Sequence, residues 1–516
     1  MLGLWTLARN ALLPPPFRFT LEYAESQGSS TNAVAELIRA HCPSLSGAQA
    51  PPAPTRWLPS GHLQTVYSAL GDFSQVDRVE YKRRVFLTPD GGTVALDIGA
   101  NTPVTSPQLY SASKTSDLES ALLLLTRLFP NSPMAGLGFS LGGAILAKYM
   151  GQAGKRTPFI GAVCVGAPYE LDKTCAALDS TYLTQIYSYV MGRNLMNVLR
   201  RHVDTLALLP SLWGVLELAF GERIKPNSDE PLPEPSKEGP RRGTLRFVDH
   251  YVTSKVGGHP SPYGEFPFAS AEDYYVKSSP TNVLLDVARP LLAVNADDDP
   301  IVPLHALATF REKLKENPNM VLAHSRCGGH LGWFASHHAT RWAFNPIGEF
   351  LTALFARVEA PDAPRPTKGL GSGGPRLSQW KFGKVDAQQV DVEVLPASAL
   401  PTILSGVSPK THVEGDVPDD VTDLPTHAWL QTPVLQHLPL VHPRDSPARL
   451  AQESPAPLPK GRTLRLTLYH DALRPEIGFI ELPEDVNVGG NASIIQSDLS
   501  VKEQDTGHGP AKIAGL

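Results

Sequence analysis

A serine, a run of aspartates and a histidine, each just past a short apolar run, are the residues of this chain that could do chemistry together. The serine is Ser140, within Gly138-Phe139-Ser140-Leu141-Gly142-Gly143. An apolar run, Met134 to Phe139, precedes it and a helical pattern, Leu141 to Tyr149, follows. Strand, tight turn and helix are the context in which G-x-S-x-G becomes a nucleophile elbow. A hydroxyl that is packed away cannot attack anything, so the backbone must turn sharply enough to push Oγ out. Such a turn crowds neighbouring backbone, and glycine tolerates the crowding. The same turn aims the N–H of Leu141 at that spot, as one donor for an oxyanion.

A serine hydroxyl needs a base, and the base needs an orienting acid. The run Pro290 to Asn295 ends in Ala296-Asp297-Asp298-Asp299-Pro300-Ile301-Val302-Pro303, and the run Met320 to His324 leads into Cys327-Gly328-Gly329-His330. Acids and histidine therefore sit past the carboxyl ends of strands, where open α/β sheets bind ligands. The chain order Ser, Asp, His is also the one that an elbow serine takes. Asp299 lies nearest the Pro-Ile-Val-Pro stretch that re-enters the fold and is preferred to Asp298 as the partner of His330. A metal site built from Asp297 to Asp299 with His330, or with the pair His337–His338, is the weaker reading. Cation loops space their acids along a glycine-containing turn, and zinc prefers His and Cys at helical spacing. No cofactor and no metal are expected.

The elements that must position these groups alternate. Two strands, Arg78 to Thr88 and Gly92 to Ala100, flank the hairpin turn Pro89-Asp90-Gly91-Gly92. A helix, Ser116 to Phe129, carries a capping-box spacing of Ser116 and Glu119, with Leu118, Ala121, Leu122 and Leu125 on its inner face. After the elbow come a strand at Phe159 to Val165, a strand at Pro290 to Asn295, a helix at Leu304 to Lys315, a strand at Met320 to His324 and a helix at Ala339 to Phe355. Strands alternating with helices predict an α/β fold, a mostly parallel sheet covered by helices on both faces.

Residues 1–54 read as an N-terminal arm with one helix, Thr31 to His41, and Trp57 to Thr65 reads as a compact turn. Residues 55–357 form the expected α/β domain. Within it, 181–268 reads as a helical lid insertion, with helices at Leu183 to His202 and Thr205 to Phe220 and a charged, proline-rich hinge at Lys225 to Arg242. Residues 358–516 read as a largely disordered, Pro-rich extension with a small hairpin at 462–482, where Leu464, Leu466 and Leu468 alternate.

Composition sets the outer limits. The chain has 516 residues, 42% hydrophobic and 19% charged, with a net charge of −5; this is globular and carries no basic footprint, so nucleic acid is not expected as a partner. Its four cysteines, Cys42, Cys164, Cys175 and Cys327, are far apart and read as reduced thiols of an intracellular, cytoplasmic protein. No run approaches the ~20 apolar residues of a membrane span. The short apolar Met1 to Leu13 leaves room for weak association with a lipid surface.

Several stretches carry a resemblance. Arg56-Trp57-Leu58-Pro59-Ser60-Gly61-His62-Leu63-Gln64-Thr65 is the most specific. Gly71-Asp72-Phe73, Thr105-Ser106-Pro107-Gln108-Leu109-Tyr110-Ser111-Ala112, the elbow itself, and Asp273-Tyr274-Tyr275 with Ser279 and Asp298-Asp299 add to it. Together, over residues 40 to 357, they resemble the fungal medium-chain fatty-acid ethyl ester synthase/esterase group of the α/β-hydrolase superfamily. The resemblance implies the α/β-hydrolase fold and a triad at Ser140, Asp299 and His330. It also implies a serine hydrolase/acyltransferase that cleaves or alcoholyses medium-chain acyl esters, acyl-CoA or monoacylglycerols, with water or an alcohol as acceptor. One departure stands against it. The group has a strand ending in His-Gly whose backbone gives the second oxyanion donor, whereas here Ile98-Gly99-Ala100-Asn101-Thr102-Pro103 runs almost directly into Thr105. The sheet is therefore expected to be incomplete beside the elbow. The alternative reading is a truncated, catalytically impaired α/β-hydrolase, a gene-model or splice variant with at most a binding role.

Overall fold

The computed structural model describes residues 15–25, 32–71, 73, 85–87, 93–95, 109–129, 132–207, 212–225, 229–258, 265–359, 385–393, 463–471 and 474–481. The run from Ile98 to Pro103, most of the two flanking strands of the Pro89 hairpin, the first 14 residues and most of the extension beyond Glu359 lie outside the described residues.

The chain opens with β1 (Phe19–Tyr23) and α1 (Ala33–His41). Asn32 caps α1, its Oδ1 accepting from the N–H groups of Val34 and Ala35 at 3.0 and 2.9 Å. Next come α2 (Gly61–Leu70), β2 (Val85–Leu87), β3 (Thr93–Ala95) and α3 (Ser116–Leu128). The elbow strand is β4 (Met134–Phe139), followed by α4 (Leu141–Ala153), β5 (Phe159–Val165) and α5 (Leu171–Asp179). After α5 come α6 (Tyr182–Arg201), α7 (Trp213–Phe220) and shorter helical turns around Leu245–Val248. Then follow α8 (Ala271–Ser278), β6 (Leu291–Ala296), α9 (Ala308–Glu316), β7 (Met320–Ser325), the short strands β8 (Phe334–Ala335) and β9 (Thr340–Arg341), and α10 (Phe344–Glu359). Strands β10 (Val385–Glu393), β11 (Thr463–Asp471) and β12 (Arg474–Glu481) complete the described chain.

The main sheet has the order β1-β7-β6-β5-β4. β4 to β7 run parallel, and only β1 is antiparallel to its neighbour. Side chains of one strand alternate between two cores. Val163, Val165, Leu292 and Val294 point into one with Val34, Ile347 and Phe350 of α1 and α10. Ala162, Cys164, Leu291 and Ala293 point into the other with Leu122, Leu146 and Phe310 of α3, α4 and α9. Burial on both faces is why these strands read as unbroken apolar runs. The fold is the α/β-hydrolase arrangement: an open, mostly parallel sheet covered by helices. Among the described residues no strand pairs with the outer edge of β4, and its Leu137 and Phe139 are 42% and 36% exposed.

The N-terminal arm packs closely: β1 supplies the far edge of the sheet, Phe17 and Phe19 stack near Trp342, and Val34, Ala35, Leu37 and Ile38 of α1 are buried. Three readings change. Trp57 to Thr65 is a turn only as far as Ser60, whose Oγ accepts from Leu63 N–H at 3.4 Å and starts α2. The capping box at Ser116 does not form; Thr115 precedes the helix and no side chain caps it. Residues 339–343 belong to the β8–β9 turn, held by Trp342 N–H donating to the Trp333 carbonyl at 3.0 Å, so α10 begins at Phe344. Beyond the domain, β11 and β12 pair as a hairpin. β10 joins β11, and β12 meets β2 through Ile480 and Leu87 in a second, five-stranded sheet.

Candidate active site

Ser140 has φ 50° and ψ −124°, a strained left-handed conformation that a serine holds only where its surroundings enforce it. Its N–H donates to the Val165 carbonyl at 2.8 Å, and its carbonyl accepts the N–H of Ala144 at 3.1 Å. The glycines have unequal reasons. A Cβ at Gly138 would stand 2.6 Å from the Gly142 carbonyl oxygen, and one at Gly143 would stand 2.9 Å from the Ala167 methyl. One at Gly142 would meet nothing within 4 Å. Leu141 is the first residue of α4, so its N–H is among those a helix leaves without an internal partner.

The structure brings the three distant residues together. Ser140 Oγ lies 2.8 Å from His330 Nε2, and His330 Nδ1 lies 2.8 Å from Asp299 Oδ2. His330 and Asp299 are fully buried at the side chain. Asp299 is itself fixed, its Oδ1 accepting the N–H groups of Ile301 and Val302 at 2.8 and 2.9 Å. These two donors are the backbone of the Pro-Ile-Val-Pro stretch. The imidazole lies over Gly166, where a Cβ would come within 3.4 Å of the ring.

Asp298 points elsewhere: its Oδ1 accepts Gly329 N–H at 2.9 Å and so ties the aspartate loop to the histidine loop. Burial pushes its carboxyl up to about 6, against the pull of that N–H, and the charge of Asp299 adds to the rise. Asp297 bonds His324 instead, Oδ1 to Nδ1 at 2.7 Å, which lifts the imidazole's pKa. The three aspartates thus serve three partners, and His337 and His338 are exposed on the β8–β9 turn. Among the described residues no group of three His, Cys, Asp or Glu side chains could hold a metal ion.

The sequence reading missed α2 as part of the site. Thr65 Oγ1 accepts the His330 N–H at 2.8 Å and donates to the Gly61 carbonyl at 2.7 Å. Gly61 is wedged so tightly between the two loops that a Cβ there would overlap the Asp298 carbonyl, and one at Gly329 would strike the Gly61 carbonyl at 2.3 Å. At the start of α2, His62 Nδ1 lies 2.9 Å from the hydroxyl of Tyr187 on α6, with the rings stacked. Burial, with the charge of Asp299 adding to it, raises the Tyr187 phenol's pKa. The signal was present in Ser60-Gly61-His62-Leu63-Gln64-Thr65, a helix start in which Gly61, Gln64 and Thr65, at i, i+3 and i+4, make a face without an apolar side chain.

Elbow, chain order and hydrogen-bonded trio on this sheet are the arrangement of the α/β-hydrolase fold. Relatives agree at that level. The chain is 29% identical over 253 residues to a monoacylglycerol lipase of Saccharomyces cerevisiae, covering 48% of this chain and 49% of that protein. It is 29% identical over 260 residues to an abhydrolase domain-containing protein of Dictyostelium discoideum, 49% and 56% covered. It is 26% identical over 228 residues to phospholipase ABHD3 of Mus musculus, 44% and 47% covered. The chain spans about half the length of these curated relatives. At this distance they support the superfamily and no narrower group. No family model matches the chain.

Proposed function

We propose that the chain is a serine hydrolase of lipid carboxylic esters, medium-chain acyl esters and monoacylglycerols among them, working through an acyl-enzyme on Ser140. The single observation carrying this reading is the continuous relay from Ser140 Oγ through both nitrogens of His330 to Asp299, each step at 2.8 Å. The relatives named as a monoacylglycerol lipase and a phospholipase favour a lipid ester as substrate.

In this reading Ser140 Oγ attacks the acyl carbonyl carbon as His330 Nε2 takes its proton. Asp299 holds Nδ1–H, fixes the tautomer and stabilises the imidazolium that forms. The carbonyl oxygen becomes an oxyanion opposite the Leu141 N–H at the helix start. Collapse breaks the ester bond, and His330 gives its proton to the departing alcohol. Water then attacks the acyl-enzyme, with His330 again as base; an alcohol in its place gives acyl transfer.

A fluorophosphonate probe should label the protein covalently, and Ser140→Ala should abolish the labelling. Labelling that persists in Ser140→Ala refutes the assignment. The second reading, an impaired hydrolase, is favoured by β4 having no neighbour on its outer edge among the described residues, because such a strand would be the natural source of a second oxyanion donor. One such donor is worth about 10²–10³ in rate. Turnover of a p-nitrophenyl ester by this chain at ordinary esterase rates excludes it.

A further inference from the structure

Helix α2 is built inside out. Its buried residues are Gly61, Gln64 and Thr65, whereas Leu63, Val66 and Leu70 are 46%, 42% and 71% exposed. Those three lie at i, i+3 and i+7, one stripe of a helix. Helix α6 shows the same inversion. Ser188, Gly192 and Leu199 are buried, while Leu183, Ile186 and Val190 are 51%, 56% and 48% exposed, with Tyr182 at 90% before them. Packing does not explain these residues, because the cores lie on the opposite faces. Gly192, for one, is pressed so closely on Gly243 and Thr244 that a Cβ would sit 2.5 Å from both.

The two stripes are neighbours. The His62–Tyr187 bond joins the helices at 2.9 Å, and α2 in turn holds the relay through Thr65 Oγ1, which accepts the His330 N–H. Charge is one-sided. α2 has no Asp, Glu, Lys or Arg, and α6 carries Arg193, Arg200 and Arg201 in twenty residues without one Asp or Glu, Arg200 pairing with Glu222 at 3.1 Å. Arg193 is exposed and lies one turn beyond Val190 on the same stripe. Exposed apolar side chains with arginine at their margin and no acid complement an anionic lipid surface, acyl chains beneath and negative headgroups at the rim. A second copy of the chain offers no such answer, since an isologous contact on this face returns arginine to arginine.

We propose that the exposed faces of α2 and α6 together seat the protein on an anionic phospholipid layer, with the Ser140 site opening against that layer. The proposal rests on the lipid-ester reading for its purpose, but its test does not need turnover. The full chain is floated with vesicles of phosphatidylcholine containing about one-third phosphatidylserine and with vesicles of phosphatidylcholine alone. The parent should float with the anionic vesicles, and weakly with the neutral ones. The double variant Ile186→Asp/Val190→Asp should lose binding on the order of tenfold or more, and Arg193→Glu should lose the preference for anionic vesicles. Leu285→Asp, at a 45% exposed leucine near the far end of α4 from Ser140, should float like the parent, as should Ser140→Ala. A parent that stays at the bottom of the gradient overturns the proposal. So does a double variant or Arg193→Glu that floats as the parent does, or a Leu285→Asp that loses as much. Dimerisation of the parent abolished by Ile186→Asp, without flotation, overturns it too and assigns the face to a second copy. Failure of probe labelling with flotation intact would remove the enzyme reading and leave the surface standing.

Discussion

Asp299→Asn separates the proposed orienting role from a merely local one, because Asp298 beside it provides the control. Asp299 accepts three hydrogen bonds, from Ile301 N–H, Val302 N–H and His330 Nδ1. An amide cannot repeat this. With its oxygen toward the two backbone donors, its NH₂ faces Nδ1 and donates there, which moves the ring proton to Nε2. The nitrogen that must take the Ser140 proton is then already protonated. A wrong tautomer in such a relay costs about 10⁴ in kcat, equivalent to about 5.4 kcal/mol of transition-state stabilisation. Asp298 makes no bond to His330; its side chain accepts backbone N–H groups, Gly329 at 2.9 Å with Gly328 and Gly61 besides, part of which an asparagine oxygen keeps. Asp298→Asn should therefore stay within about tenfold of the parent. The assay is kcat on a medium-chain p-nitrophenyl ester together with the rate of fluorophosphonate labelling, on variants whose melting temperature matches the parent. The reasoning is refuted if Asp299→Asn keeps more than a tenth of the parental rate, or if Asp298→Asn loses as much as Asp299→Asn.

Other outcomes are expected. Thr65→Val should leave the buried His330 N–H without an acceptor, costing about 1–3 kcal/mol in a urea melt and lowering kcat; an unchanged variant would detach α2 from the site. Gly138→Ala should destabilise by about 1–3 kcal/mol because its Cβ meets backbone, whereas Gly142→Ala should fall within about 0.5 kcal/mol. Equal melts for the two would contradict the elbow geometry. Asp249, buried with Tyr275 donating to it at 2.7 Å, has its pKa raised by burial from 3.8 to about 6. The folded state therefore keeps this proton to higher pH than the unfolded chain. Its contribution is most favourable below pH 3.8 and is lost as pH rises through about 6, on the order of 3 kcal/mol. Asp249→Asn should flatten that part of the stability–pH curve, and a curve of unchanged slope refutes the account.

Some of this was legible in the amino-acid order for a simple reason. Strands buried on both faces are apolar throughout, so Met134–Phe139 and Phe159–Val165 could be delimited to the residue and Leu291–Ala296 to within one. The order of Ser140, Asp299 and His330 followed from each lying past such a strand. Other elements hid. α2 was taken for a turn because periodicity assumes that apolar residues face inward, and here Gln64 and Thr65 do, with Gln64 Oε1 accepting from Phe334 N–H at 3.2 Å. β1 is five residues long and finds its partner 300 positions away, which no local pattern announces. Thr115 rather than Ser116 precedes α3 because box spacing alone does not decide which of two adjacent hydroxyl residues starts a helix.

The place of β1 has a consequence for synthesis. Phe19 meets Ser325, and Tyr23 meets Val321, so β1 leaves the ribosome about 300 residues before the strand it pairs with. Long separations of this kind slow folding, because the loop must close before the pairing rewards it. Throughout translation of everything between, the hydrophobic Phe17 and Phe19 have no seat beside Trp333 and Trp342. The main sheet therefore cannot be completed at this edge until β7 has been made, and a chaperone that shields Phe17 and Phe19 until then would cover the apolar surface that β1 later buries.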